Sequence, residues 1–238
     1  MRPRLPVKPE RRQALRSRRR LLGAGAAALA LQMGWLRGVL AAGSVEKGVH
    51  RIRGDVRING APAKEGMDVK GGDVITTGPA SDVLFVTGKD AVLIRANSRV
   101  EAQGAAGALL VSGLRILTGA VLTVFSPGQP RSLSTATAVV GIRGTGVYLE
   151  AEEARTYVCV CYGVADLASV MDPTARETVN TRHHEQPRYI MGAGAPQMLM
   201  GAPVINHTDD ELIMLEGLVG RKPPFYQYYP AERNLNAY

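Results

Sequence analysis

Through residues 43–167 apolar residues come in short runs, many alternating with polar ones, and each run stops at Gly, Pro, Asn or Asp. A period of two is the mark of strands that bury one face, and the stops are turn chemistry. Residues 55–58 lead into Asn59-Gly60, the pair that most favours a two-residue hairpin. Residues 74–77 lie between Gly71-Gly72-Asp73 and Gly78-Pro79, and residues 83–87 and 91–95 flank a turn at Gly88-Lys89-Asp90. Residues 109–111, 114–117 and 121–125 repeat the pattern, with breaks at Ser112-Gly113, Thr118-Gly119 and Pro127-Gly128. This spacing predicts an all-β fold, a short-stranded sandwich or barrel or a β-solenoid-like stack.

After about Val170 the pattern fades, and residues 171–206 show no clear period. A single helix is predicted beyond them. Thr208 as N-cap and Glu211 three residues on form a capping box, and Leu212, Leu215, Leu218 and Val219 make an apolar side. Gly220 is placed to end the helix, and Pro223-Pro224 stop the chain. About 11 residues is too short a helix to stand alone in water. It must dock on the sheet or on a partner, and Phe225, Tyr226, Tyr228 and Tyr229 supply an aromatic strip suited to an interface. The predicted division is a leader (1–42), a β domain (43–170) and a tail with one short helix (171–238).

Charge changes the picture only at the N-terminus. The formal charge of the 238 residues is +8, but ten of the 29 Lys and Arg fall within residues 1–42, against one of the 21 acids. The remainder is almost neutral, so nothing in it calls for nucleic acid as a partner. The basic segment reads as an address. Ser17-Arg18-Arg19-Arg20-Leu21-Leu22 resembles the twin-arginine export motif. An Ala/Gly/Leu stretch of about 16 residues follows, short of the roughly 20 needed to span a bilayer. Small residues at Ala41 and Ala42 offer a cleavage site. The expected location is the bacterial periplasm, with membrane attachment only if the leader is retained.

Several separated segments, in order, resemble the FecR domain family over about residues 50–170. They are Arg53-Gly54-Asp55-Val56 with Asn59-Gly60 and Ala61-Pro62-Ala63, then Gly66, then Gly72 through Gly78. Ser98-Arg99-Val100-Glu101, Leu117 through Val121, Thr135 through Thr145, and Thr156 through Val160 with Gly163-Val164-Ala165 follow. The resemblance implies a periplasmic β domain that binds or scaffolds, with an envelope protein as partner. FecR proteins proper also carry a cytoplasmic segment that controls a sigma factor. About 20 Arg- and Pro-rich residues precede the apolar stretch here, so a sigma-regulating role is not expected.

The candidate chemistry is sparse. Within Gly141-Ile142-Arg143-Gly144, Arg143 is either a hydrogen-bonding strut at a tight bend or an anion contact, and Tyr157 and Tyr162 are further candidate binding residues. In Tyr157-Val158-Cys159-Val160-Cys161-Tyr162, strand alternation puts Tyr157, Cys159 and Cys161 on one face and Val158, Val160 and Tyr162 on the other. An extended strand holds the two Cβ atoms too far apart for a disulfide without a kink. The thiols are then small buried hydrophobes or soft metal ligands. His183 and His184 follow in a loop-like run. One of them, with His207, Glu185 or a methionine among Met191, Met198 and Met200, would complete a set suited to copper, zinc, iron or haem. Neither paired CxxC nor CxxCH is present, and no GxSxG, HExxH, P-loop or dinucleotide fingerprint occurs, so no enzyme is expected. Two functions stand at this point: a non-enzymatic binding module for envelope signalling or scaffolding, and a metal- or haem-binding redox or metal-handling protein.

Overall fold

The structure is a computed structural model that describes residues 47–109 and 111–228; the expected leader, its cleavage site and Tyr229 lie outside them. The described strands are β1 (Gly48–Arg53), β2 (Val56–Ile58), β3 (Ala61–Pro62), β4 (Val74–Thr77), β5 (Asp82–Thr87), β6 (Asp90–Ile94), β7 (Arg99–Gln103) and β8 (Gly113–Val124). They continue as β9 (Arg131–Ser134), β10 (Ala138–Ile142), β11 (Gly146–Ala151), β12 (Arg155–Ser169), β13 (Arg176–Thr181), β14 (Arg188–Met191) and β15 (Leu199–Gly201). One helix, α1 (Asp209–Leu218), and a single 3-10 turn (Pro224–Tyr228) end the described chain. No described helix is long and apolar enough to cross a membrane.

The strands form two sheets. The first runs β1-β5-β6-β8-β11-β12-β14-β15, with every neighbour antiparallel. The second runs β3-β2-β4-β7-β8-β9-β10-β12-β13, antiparallel except where β8 meets β9. The fold is therefore an antiparallel sandwich rather than a solenoid, and β8 and β12 belong to both sheets. Each of these two long strands changes sheet at a glycine. Gly119 (φ +85°) and Gly163 (φ +89°) occupy the left-handed region, and a Cβ would stand 2.1 Å from the Ser98 hydroxyl at the first and 2.7 Å from the Gly144 carbonyl at the second. Thr118-Gly119, expected as a turn between two strands, is thus a corner within one. Period and punctuation read the same for a turn and for a glycine bend.

Elsewhere the turns follow the sequence. Asn59 and Gly60 both take positive φ, 53° and 82°, as a two-residue hairpin between β2 and β3 requires. Residues 109 and 111 belong to no strand. In residues 171–206, where no element was expected, β13, β14 and β15 extend both sheets. They are short and mostly half-exposed, with β13 and β15 at sheet edges, so they carry little apolar alternation to read.

One core lies between the sheets, with Phe85, Ile94, Val121, Leu149 and Val158 of the first meeting Ile75, Ile116, Leu133, Val140 and Leu167 of the second. The opposite face of the first sheet is buried as well: Leu84, Leu93, Leu122, Tyr157, Cys159 and Cys161 are at most 2% exposed. That face is covered by α1, which packs over β6 and β8 and buries Leu212, Leu215 and Leu218. Burying each leucine stabilises the docked helix by about 2 kcal/mol. The capping box is present: Thr208 Oγ1 accepts the Glu211 amide, and the Glu211 carboxylate accepts the Thr208 amide. At the other end Arg221 N donates to Glu216 O and Gly220 N to Gly217 O, the paired bonds of a Schellman stop with Gly220 at φ +72°.

Candidate metal centre

β12 supplies two sulfurs. Alternation sends Val158 and Val160 into the core between the sheets, and Tyr157, Cys159 and Cys161 toward α1. Tyr162 departs from the expected alternation. The β11–β12 register slips between Gly146, which faces Tyr162, and Val147, which faces Val160. That bulge turns the Tyr162 ring to the helix side, where its hydroxyl bonds Glu216 and its ring meets Phe225.

The loop between β13 and β14 brings a histidine over the sulfurs. Its turn is tied by Glu185, whose carboxylate accepts the amides of Arg182 (2.6 Å) and His183 (3.1 Å). The His184 amide donates to the Cys161 carbonyl (2.9 Å), and His184 takes φ +56°, a strained conformation for a side chain larger than glycine. The two neighbouring histidines converge on Asp209, their ring centroids 4.9 Å apart, and His184 is the one that also faces the thiols.

The segment before α1 brings the second histidine. Tyr157 Oη donates to Pro203 O (2.9 Å) and accepts the Ile205 amide (3.3 Å), while Arg95 donates to Asn206 O (3.0 Å) and pairs with Glu211. The His207 ring stacks on Tyr148 with centroids 4.7 Å apart. One donor atom from each of Cys159, Cys161, His184 and His207 then lies within 4.8 Å of all the others. Cys159 Sγ is 3.3 Å from His184 Nδ1, which is 3.1 Å from His207 Nε2.

The outer hydrogen bonds decide which nitrogens carry protons. His207 Nδ1 lies 2.6 Å from the Ile205 carbonyl. A carbonyl only accepts, so Nδ1 is protonated and neutral His207 turns the lone pair of Nε2 inward. His184 Nε2 donates to Asp209 Oδ1 (2.8 Å), which leaves Nδ1 as its inward nitrogen. Two inward lone pairs 3.1 Å apart need something between or on them: a metal ion, or a proton on His184. Without metal the proton answers. Burial pulls the His184 pKa down, but the Asp209 hydrogen bond and Cys159 outweigh it and lift it to about 9. A hydrogen bond from Cys161, then one from His184, lower Cys159 to about 4 against its burial. Burial and the neighbouring Cys159 push Cys161 up.

Asp209 is the first residue of α1. Its side chain is 18% exposed and bridges both histidines, with Oδ2 2.7 Å from His183 Nε2. The capping box placed it at the positive end of α1, but nothing local showed that the loop would meet it there. His183 stands outside the four-donor group, and Glu185 ties its own loop. Met191 lies on β14 and Met200, 42% exposed, on β15.

The residues expected to bind are placed differently from one another. Arg143 is 71% exposed and pairs with Asp166 (2.7 Å) across β10 and β12, a surface ion pair and not a buried strut. Gly144 (φ +74°) makes the bend beside it, where a Cβ would stand 2.7 Å from Pro127. Tyr157 and Tyr162 are buried under α1 and its approach.

Cys159, His184 and Asp209 also line up as nucleophile, base and orienting carboxylate would. Cys159 is 0% exposed, however, and no lining residue of the cleft along β12 and β13 (residues 166–169, 173 and 176–178) belongs to the group.

No known family's sequence profile matches the chain, and no curated protein matches it. Among solved structures it is similar to two crystal structures described as a "putative anti-sigma factor" from Parabacteroides distasonis. Identity is 12% in both, TM-scores are 0.44 and 0.43, and the match covers 54% of this chain and 59% of those.

Proposed function

We propose that this protein is an exported, non-enzymatic β module of the bacterial envelope, similar to FecR domains, in which Cys159, Cys161, His184 and His207 hold one divalent cation, zinc before others. The observation that carries the reading is the convergence of four soft donors whose histidine tautomers are set from outside by Asp209 and the Ile205 carbonyl. Donors around a tetrahedral zinc stand roughly 3.3–3.8 Å apart, and the 3.1 and 3.3 Å separations here need only a slight opening. Two thiolates neutralise a divalent ion, so the filled centre adds no net buried charge. Copper(I) would leave a negative charge in an apolar site, which is costly. Four converging donors leave no plane for a porphyrin. With all four positions taken by protein the ion is structural: it ties β12 to the β13–β14 loop and to the approach of α1. The twin-arginine-like leader and the FecR resemblance support the envelope location and a protein partner there.

Metal analysis of the full chain from the periplasmic fraction tests this. One zinc per chain is expected, and cobalt(II) substitution should give an intense thiolate charge-transfer band that Cys159→Ser and Cys161→Ser each abolish. A chain that is metal-free, has two titratable thiols and takes up no cobalt would overturn the metal reading. A leader uncleaved in a cytosolic product would overturn the export reading.

A further inference from the structure

We infer that His183 and Asp209 form an outer, transient cation site through which the metal enters and leaves the buried four-donor centre; the inference rests on the metal reading above. The donor atoms form a graded line. Cys159 and Cys161 are fully buried, the His184 side chain is 11% exposed, Asp209 18% and His183 44%. His183, His184 and Asp209 also make a second group whose donor atoms lie within 4.8 Å of one another. His184 belongs to both groups, with Nδ1 facing the sulfurs and Nε2 facing Asp209. His183 is not needed to complete the inner set. Its ring is nonetheless held in place, against Phe225 (centroids 4.7 Å apart) and with Nε2 on the Asp209 carboxylate.

An ion arriving from water meets first one imidazole and one carboxylate, a weak and open pair that holds it without trapping it. It then passes along His184 to His207 and the two sulfurs. The exchange balances: one divalent ion enters, the two cysteines and His184 together give up two protons to water, and the centre, ion included, keeps the same net charge. Release runs the same way in reverse. A group on the path but not in the final shell lowers the barrier in both directions and leaves the equilibrium alone.

His183→Ala in the full-length chain, read by cobalt(II) uptake and by zinc release to excess chelator, tests the route. Uptake and release should both slow by about tenfold, the scale on which a guiding group alters an on-rate, with Kd unchanged within error. His183→Asp, which keeps a donor atom there, should restore most of the rate. Wild-type rates in His183→Ala would overturn the route and leave the centre standing. So would slower uptake matched by an equal loss of affinity, because that marks a ligand or a structural prop. Wild-type chain that takes up no cobalt would overturn the centre and the route together.

Discussion

His207 has one nitrogen committed to a carbonyl, so its inward lone pair is a consequence of the Ile205 backbone. The orientation of His184 depends instead on a side chain, and that can be changed. Asp209→Asn keeps the size but removes the charge that fixes the His184 tautomer. Chelator competition should show metal affinity weakened by about 10–100-fold, with both cysteines still reactive toward metal. A different residue pair holds the sheets. Asp90, 1% exposed, accepts from Arg131 (2.8 Å) and from the amide and hydroxyl of Ser126 (2.8 Å each). Arg131→Met strands that carboxylate without its cation. Urea unfolding should show a loss of about 3–5 kcal/mol, because a buried charge left alone loses its partner without regaining water.

Two kinds of element do the positioning here. The long strands β8 and β12 turn from sheet to sheet at Gly119 and Gly163. Gly163→Ala both strains a positive φ and meets the Gly144 carbonyl, whereas Gly72→Ala (φ +93°) meets nothing within 4 Å. The first should therefore lower stability by more than the about 1–2 kcal/mol that φ strain alone costs the second; denaturation midpoints of the two variants decide it. The helix is the other positioning element. Thr208→Ala removes the cap between His207 and Asp209 and should cost about 1 kcal/mol. Since α1 presents Asp209 to His184, the same variant should also bind metal more weakly, which pairs two readouts in one substitution.

At the level of the whole fold, the two sheets are also joined outside the core. Arg188 of β14 makes two hydrogen bonds to Glu177 of β13, 2.8 and 2.7 Å long, across the split where β12 leaves one sheet for the other. These bonds hold the Glu177 pKa below its ordinary 4.5, against the opposing pull of partial burial. A carboxylate lowered on folding contributes fully above its unfolded value, and that contribution fades as pH falls through the lowered one. Glu177→Gln should thus be less stable than wild type at about pH 7, and the difference should shrink as the pH falls below the ordinary 4.5. A constant difference between the two curves across that range would sink this assignment.

Local chemistry was enough to read the hairpin at Asn59-Gly60, the strand at β4, both ends of α1, and the common face of Tyr157, Cys159 and Cys161. Each depends on neighbours within a few residues: a turn conformation, a cap, a period of two. The strands β13–β15 escaped because short strands with half-exposed faces and few apolar residues leave no period to detect. Tyr162 was assigned the wrong face because a one-residue bulge, set by how β11 pairs with β12, reverses every side chain beyond it. The convergence of His184 and His207 on the sulfurs is long-range in the same sense. It needs the Cys161 carbonyl to catch one loop, Tyr157 and Arg95 to catch another, and α1 to deliver Asp209 between two histidines. Residue order names these groups as donors; which of them meet is decided by strand pairing and helix docking, whose energies come from contacts between residues far apart in the chain.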